Sequence, residues 1–291
     1  MAVRRRGLAR EVIGFDQDRE ALKKAIRLSA IDGAEESLGK AVEGADLVIL
    51  ATPVGSLEGL ALKLSPLLHS KTAVTDVGST KGGLVERLEK YLSPHGLFVG
   101  GHPVAGREKS GVEAGSENLF EKALCILTPT PRTEPQALDG IRSLWESVGC
   151  RVVLMDPQRH DRILASVSHL PHVVAYALVA LLAELSAAEP DLPAYSAGGF
   201  RDFTRIAASS PEMWRDICLA NGDQIIPLIE RYEKILERFK KLIRDKDAAG
   251  LIEQFAAAKA VREKLNTEGG LRNTNSGSQN PKSKIRNPKS K

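Results

Sequence analysis

Up to about residue 155, six short runs rich in Val, Ile and Leu alternate with helix-patterned segments, and after Asp156 the strand signal stops. The runs are 11–16, 46–51, 72–76, 97–100, 124–127 and 151–154, with helical patterns at 18–28, 56–68, 80–91 and 134–147. Such alternation predicts an α/β fold, a parallel sheet with crossover helices. In sheets of this kind ligands bind in the crevice outside the carboxyl ends of the strands. Asp16, Thr52 and Asp76 stand at such ends, and Pro53 and Val54 follow Thr52 directly. Beyond residue 156, apolar positions recur at helical spacing over 157–185, 211–219, 223–244 and 247–265, which predicts an all-α domain. The reading is therefore a Rossmann-like domain over 1–155, a helical domain over 156–267 and a tail over 268–291.

Residues 173–185 are apolar nearly all round, so they call for burial inside the domain or between two subunits, and a homodimer is the expectation. The apolar run itself, 173–183, falls short of the ~20 residues that a membrane-spanning helix needs. The tail repeats Asn-Pro-Lys-Ser-Lys, has almost nothing apolar to bury and reads as a disordered, solvated appendage. It also carries Arg272, Lys282, Lys284, Arg286, Lys289 and Lys291 with no acidic residue after Gly269. Subtracting those six charges from the net +4 leaves residues 1–269 at −2, so the basic balance does not argue for a nucleic-acid partner. Cys125, Cys150 and Cys218 are widely spaced and form no C-x-x-C pair, which favours a reducing, cytoplasmic setting over a disulfide framework or zinc site.

A dinucleotide fold opens with a strand and a glycine-rich loop, then reaches an acidic residue about 20 positions later at the end of the second strand. Here Val12-Ile-Gly-Phe-Asp16 supplies the strand and the acid, yet only fifteen residues precede Asp16. Residues 1–7 read as the end of the first crossover helix with Gly7 as its cap. The expectation is that a first strand and glycine loop precede Met1; the alternative is a chain that lacks the pyrophosphate loop.

Several clusters can carry chemistry. Asp76-Val-Gly-Ser-Thr-Lys-Gly82 turns from a strand into a helix, so Val77, Gly78 and Ser79 face the crevice, Gly78 allowing a close cofactor approach. Without function, the same turn is an ordinary junction with Ser or Thr capping the helix. His102, in Gly100-Gly-His-Pro-Val-Ala-Gly-Arg-Glu-Lys-Ser-Gly111, reads as following a strand in a stiff loop, where an imidazole can act as a general base. Ser168-His-Leu-Pro-His172 puts two histidines one turn apart, with Pro171 expected to kink the helix. No third ligand at fixed spacing supports a metal there. Gly198-Gly-Phe-Arg-Asp-Phe-Thr-Arg205 offers Arg201 and Arg205 for a carboxylate, unless Asp202 and Glu108 pair with them instead.

Together with Met213-Trp-Arg-Asp216, these motifs resemble, in order, those of the prephenate dehydrogenase family of tyrosine biosynthesis over roughly residues 8–265. The resemblance implies NAD as cofactor and oxidative decarboxylation of prephenate, or of its amino counterpart arogenate. It implies His102 as the base for the ring hydroxyl, Ser79 bridging His102 to cofactor or substrate, and Arg205 on a substrate carboxylate. Glu108 and Asp202 would form an ionic gate, His169 and His172 would line the substrate pocket, and Trp214 would pack beneath Arg205. His160 and Asp161 would support the site. Asp16 would hold the adenosine ribose and favour NAD over NADP. Two other readings stay open. One is a different two-domain dehydrogenase of the 3-hydroxyacid type, which relies on a Lys in its helical domain. The other is a non-catalytic dimeric remnant.

Overall fold

The computed structural model describes residues 1–94, 96–105 and 111–267. Glu108 and the tail from residue 268, two subjects of the sequence reading, lie outside the described residues. Two compact units are present, Met1–Glu230 and Arg231–Lys291.

In the first unit α1 (Ala2–Arg5) ends before Gly7, whose φ of +61° is the left-handed value expected of a glycine after a helix. β1 (Ile13–Gly14) is shorter than the strand read from residues 11–16. Among the described residues it pairs in parallel only with β2 (Gly33–Ala34), a two-residue strand too short to leave a sequence signal. α2 (Arg19–Arg27) and α3 (Leu38–Val42) start at side-chain caps, Asp18 and Ser37.

A five-stranded sheet follows in the order β3 (Leu47–Leu50), β4 (Ala73–Asp76), β5 (Leu97–Val104), β6 (Leu124–Thr128) and β7 (Arg151–Leu154). Alternate residues feed opposite faces. Leu50, Val74 and Phe98 pack under α4 (Val54–Leu64) and α5 (Gly82–Leu92) through Leu57, Ala61, Leu64, Val85 and Leu88. Val99, Cys125 and Leu127 pack on the other side with α1 and α6 (Pro135–Ser147) through Ala2, Ile141 and Trp145. The result is a three-layer α/β/α unit.

One pairing departs from the expected parallel sheet, and it leaves β6 and β7 both running opposite to β3–β5. β5 pairs in parallel with β4 over 97–99, then continues antiparallel to β6 over 100–104. His102 therefore lies inside β5, opposite Ile126, and not in a loop after it. Gly101 N–H points toward the β4 side, to Asp76. By alternation the position of Pro103 faces that same side, beyond the end of β4, where its missing N–H breaks no ladder bond. The glycine pair is demanded by crowding: a Cβ on Gly100 would stand 2.5 Å from Thr128 Oγ1, and one on Gly101 2.9 Å from the Asp76 carbonyl.

α7 (Pro157–Leu164), a π-helical turn (Ala165–His169) and α8 (Leu170–Leu185) form one continuous helix. The wide turn precedes Pro171 and takes up the irregularity expected there as a kink. By length and composition alone this helix could cross a membrane. Its first turns, however, bury His160 and Asp161 against the α/β layers, which a lipid-spanning segment could not do. Within α8 Ala175 is the buried residue, whereas Val179, Leu181 and Leu185 are exposed, so the apolar surface of residues 173–185 is not covered by the described chain. α9 (Gly198–Thr204), a 3-10 turn (Arg205–Ala208) and α10 (Pro211–Ala220) pack beside α8 and α4.

α11 (Gly222–Arg244) continues into the second unit, where it meets α12 (Ala248–Thr267). Phe239 stacks on Phe255 with centroids 5.4 Å apart, and Arg238 donates to Gln254 Oε1 at 3.2 Å. Ile243, Ile252, Val261 and Leu265 remain exposed along this helix pair.

Candidate active site

β4 ends on Asp76, whose side chain is fully buried. Its Oδ1 accepts Gly101 N–H at 3.1 Å, and its Oδ2 accepts Gly78 N–H at 2.9 Å and the Lys81 ammonium at 2.6 Å. Lys81 is equally buried and donates also to the carbonyls of Gly78 (2.7 Å) and Thr80 (3.0 Å), so all three of its protons are used. This pair locks the turn that carries Val77, Gly78 and the half-buried Ser79. A Cβ on Gly78 would meet Asp76 Oδ2 at 2.9 Å and Leu57 at 3.2 Å; the glycine answers to interior packing as well as to any ligand.

The cap of α5 does not come from its own turn. Thr80 Oγ1 is buried without a partner, and Asp161 from α7 accepts Lys81 N–H at Oδ1 and Gly82 N–H at Oδ2, both at 2.7 Å. The Ser/Thr cap of an ordinary junction is thus replaced by a carboxylate 80 residues away, well placed against the positive end of the helix dipole. α4 is treated likewise, since Gly55 N–H donates to Asp216 Oδ2 at 3.0 Å.

Asp161 also anchors the histidines. His160 Nδ1 lies 2.7 Å from Asp161 Oδ1, and His160 Nε2 lies 2.8 Å from His102 Nδ1. The two rings meet edge-on with centroids 5.0 Å apart. On the other side Asn221 Nδ2 donates to the Asp161 carbonyl and to His169 Nδ1, each at 3.0 Å. His169 accordingly carries its proton on Nε2, which is buried. Trp214 joins His172 to the cluster: it stacks on His172 with centroids 3.8 Å apart and meets His169 edge-on at 6.0 Å. His172 is half-buried and its Nδ1 donates to the Ser168 carbonyl at 2.8 Å.

Burial sets the protonation of this cluster. It holds His102 well below the ordinary imidazole value, helped by the Lys81 charge and the two neighbouring histidines. His160 is lowered by burial against the pull of Asp161, and burial takes His169 down to about 4. All three rings are therefore neutral near pH 7. Unfolded histidines bind protons below about pH 6.5, whereas these rings refuse them until lower pH. Stability should thus be fully present above pH 6.5 and fall on acidification toward pH 4, as read by urea unfolding at a series of pH values. A flat profile from pH 7 to 5 would mean that the rings accept protons in the folded state.

The remaining candidates are less concentrated. Arg205 and Asp202 are exposed on the segment of α9 and the 3-10 turn that packs against α8. Thr52 and Pro53 are exposed beyond β3, with Val54 half-buried at the start of α4. Asp16 is exposed two residues past β1 and accepts Asp18 N–H. Sequence reasoning gives Lys81, Asn221 and Asp216 no role of their own. Lys81 has a signal, a lysine inside a strand-to-helix turn five residues after a strand-end aspartate; Asp216 appears only as the end of the Met213-Trp-Arg-Asp216 motif, and Asn221 has no signal.

Comparisons with known proteins agree with this geometry. Residues 1–154 match the family described as "Prephenate dehydrogenase, nucleotide-binding domain", and residues 156–257 match "Prephenate dehydrogenase, dimerization domain". The chain is 38% identical over 269 residues to a prephenate dehydrogenase of Bacillus subtilis, covering 91% of this chain and 72% of that one. It is 35% identical over 260 residues to a cyclohexadienyl dehydrogenase of Zymomonas mobilis, covering 89% and 88%. A crystal structure of prephenate dehydrogenase from A. aeolicus, in complex with hydroxyphenyl propionate and NAD+, superposes with a TM-score of 0.85 at 43% identity, covering 91% of this chain and 92% of that one. With both halves of the chain matched and the histidine, aspartate and tryptophan motifs gathered at one place in the fold, the chain belongs to the prephenate dehydrogenase family.

Proposed function

We propose that the protein oxidises prephenate with NAD, giving 4-hydroxyphenylpyruvate, CO2 and NADH, a step of tyrosine biosynthesis. The observation that carries the reading is His102, neutral and anchored through His160 to Asp161 beside the turn that bears Ser79. The relatives supply the substrate class, and the nucleotide-binding description and the NAD+ of the A. aeolicus complex supply the cofactor. Residues 1–155 would hold NAD and residues 156–267 would close the substrate site. The exposed Asp16 carboxylate fits the adenosine ribose hydroxyls, and Thr52, Pro53, Val54 and the Asp76-Val77-Gly78 turn would flank the rest.

NAD supplies an acceptor for the hydride on the carbinol carbon of the ring. His102 takes the hydroxyl proton as that hydride leaves. The carbon–carboxyl bond then breaks, its electrons aromatise the ring, and the proton returns to the phenol oxygen. Ser79 would orient His102 and the hydroxyl. Arg205 would hold a carboxylate with Asp202 and Glu108 nearby, while His169 and His172 would line the pocket. The exposed apolar faces of α8, α11 and α12 support a homodimer through the helical region, and the free cysteines support a cytoplasmic site of action.

NADH formation assayed separately with prephenate and arogenate tests the reading: turnover of prephenate supports it, faster turnover of arogenate moves the assignment to the amino substrate, and none with either sinks it. Arg205→Ala should raise KM for prephenate at least tenfold with kcat less affected, because one charge-assisted hydrogen bond is worth ~1.5–3 kcal/mol. An unchanged KM would return Arg205 to a structural role.

A further inference from the structure

The Asp161–His160 pair does more than pack beside His102. Both oxygens of Asp161 accept backbone protons, from Lys81 and Gly82, so the proton in the 2.7 Å contact with His160 sits on His160 Nδ1. A neutral His160 then has only a lone pair on Nε2. At 2.8 Å from that lone pair, His102 Nδ1 must be the donor. This leaves the lone pair of His102 on Nε2, away from the relay.

We propose that Asp161 and His160 are positioning residues that fix His102 in its Nδ1–H tautomer, presenting Nε2 as the nitrogen that takes the substrate proton. The inference rests on the base role of His102 proposed above and adds to it which nitrogen acts and what selects it. Burial keeps His160 neutral, which the relay requires: a doubly protonated His160 would donate from Nε2, force the proton of His102 onto its own Nε2 and block the base. When His102 becomes cationic in the reaction, its Nδ1–H already points at a ring that is itself hydrogen-bonded to a carboxylate. The arrangement is the logic of a Ser-His-Asp triad with a second imidazole interposed.

Nitrogen-15 NMR of the histidine side chains in the full, unliganded chain reads the tautomer directly, without turnover. The His102 ring is assigned as the one lost in His102→Asn, among six histidines. The expected pattern is a protonated Nδ1 and a bare Nε2; a protonated Nε2 overturns the proposal. His160→Leu removes the acceptor, so it should mix the His102 tautomers and lower kcat by about 10²-fold, with KM for prephenate changed no more than about threefold. His160→Gln keeps the relay, because its carbonyl can accept from His102 and its amide can donate to Asp161. It should restore the Nδ1–H pattern and most of kcat. If Leu leaves the tautomer and kcat unchanged, or if Gln falls as far as Leu, His160 is structural only. Should His160→Leu not fold, the wild-type spectrum and the glutamine variant still decide. If neither candidate substrate is turned over, the wild-type spectrum still tests the tautomer, so failure of the relay and failure of the assigned reaction remain distinguishable.

Discussion

His102→Asn should lower kcat by about 10²–10⁴-fold while KM for prephenate stays within severalfold, measured as initial rates of NADH formation. The physical reason is the timing of charge. Hydride can leave the carbinol carbon only as its oxygen gives up a proton; without a base, that oxygen would carry positive charge in the transition state. An asparagine at position 102 can still hydrogen-bond to His160, so the β5 ladder and the buried cluster should survive. The loss would then fall on turnover and not on folding. In the wild type the acid limb of kcat/KM should lie below the ordinary imidazole value near 6.5, because burial and the Lys81 charge hold His102 in its neutral form. Turnover within a factor of a few of wild type in the asparagine variant would remove His102 from the chemistry.

Lys81→Met should destabilise the first unit by about 3–5 kcal/mol, the usual consequence of deleting one partner of a buried ion pair. Asp76 would keep its two amide donors, from Gly78 and Gly101, but lose its countercharge, and the carbonyls of Gly78 and Thr80 would lose a donor. Against a typical total of 5–15 kcal/mol, that is about a fifth of the stability or more. Urea unfolding of the variant beside Lys81→Met/Asp76→Asn checks it, since neutralising Asp76 should recover part of the loss. The methionine also removes a cation that disfavours protonated His102, so the acid limb of kcat/KM should move up in pH. A change under about 1 kcal/mol would show that Asp76 is satisfied by the amides alone.

What could be read from the sequence, and what could not, divides along a physical line. Period-2 and period-3.6 patterns are local, and they mark β3, β4, β6, β7 and the long helices to within four residues. Strand direction leaves no such mark, so the reversal at β6 escaped. One indirect signal existed: no helical pattern lies between residues 100 and 124, and a parallel crossover requires a long connection, usually a helix. Residue type and context mark His102, but its place inside β5 depends on antiparallel pairing with β6, which the sequence pattern does not show. The caps were beyond reach altogether. Nothing near Lys81 or Gly55 announces that Asp161 and Asp216 will close their helices, because those contacts span 80 and 161 residues of chain.

Those distant caps bear on how the molecule can move. A hinge near Met155 and Asp156 would be the obvious way to admit a dinucleotide and a substrate, since the α/β layers end there and the long helix begins. Swinging that helix away would strip Asp161 from the amides of Lys81 and Gly82, and any motion that carried α10 with it would take Asp216 from Gly55. Hydrogen bonds to charged groups are worth roughly 1.5–3 kcal/mol each, so such a gaping state would be rarely populated. Ligand traffic must then pass through rearrangement of surface segments around a frame that stays shut, and the distance between His102 and His160 should be the same before and after ligands arrive.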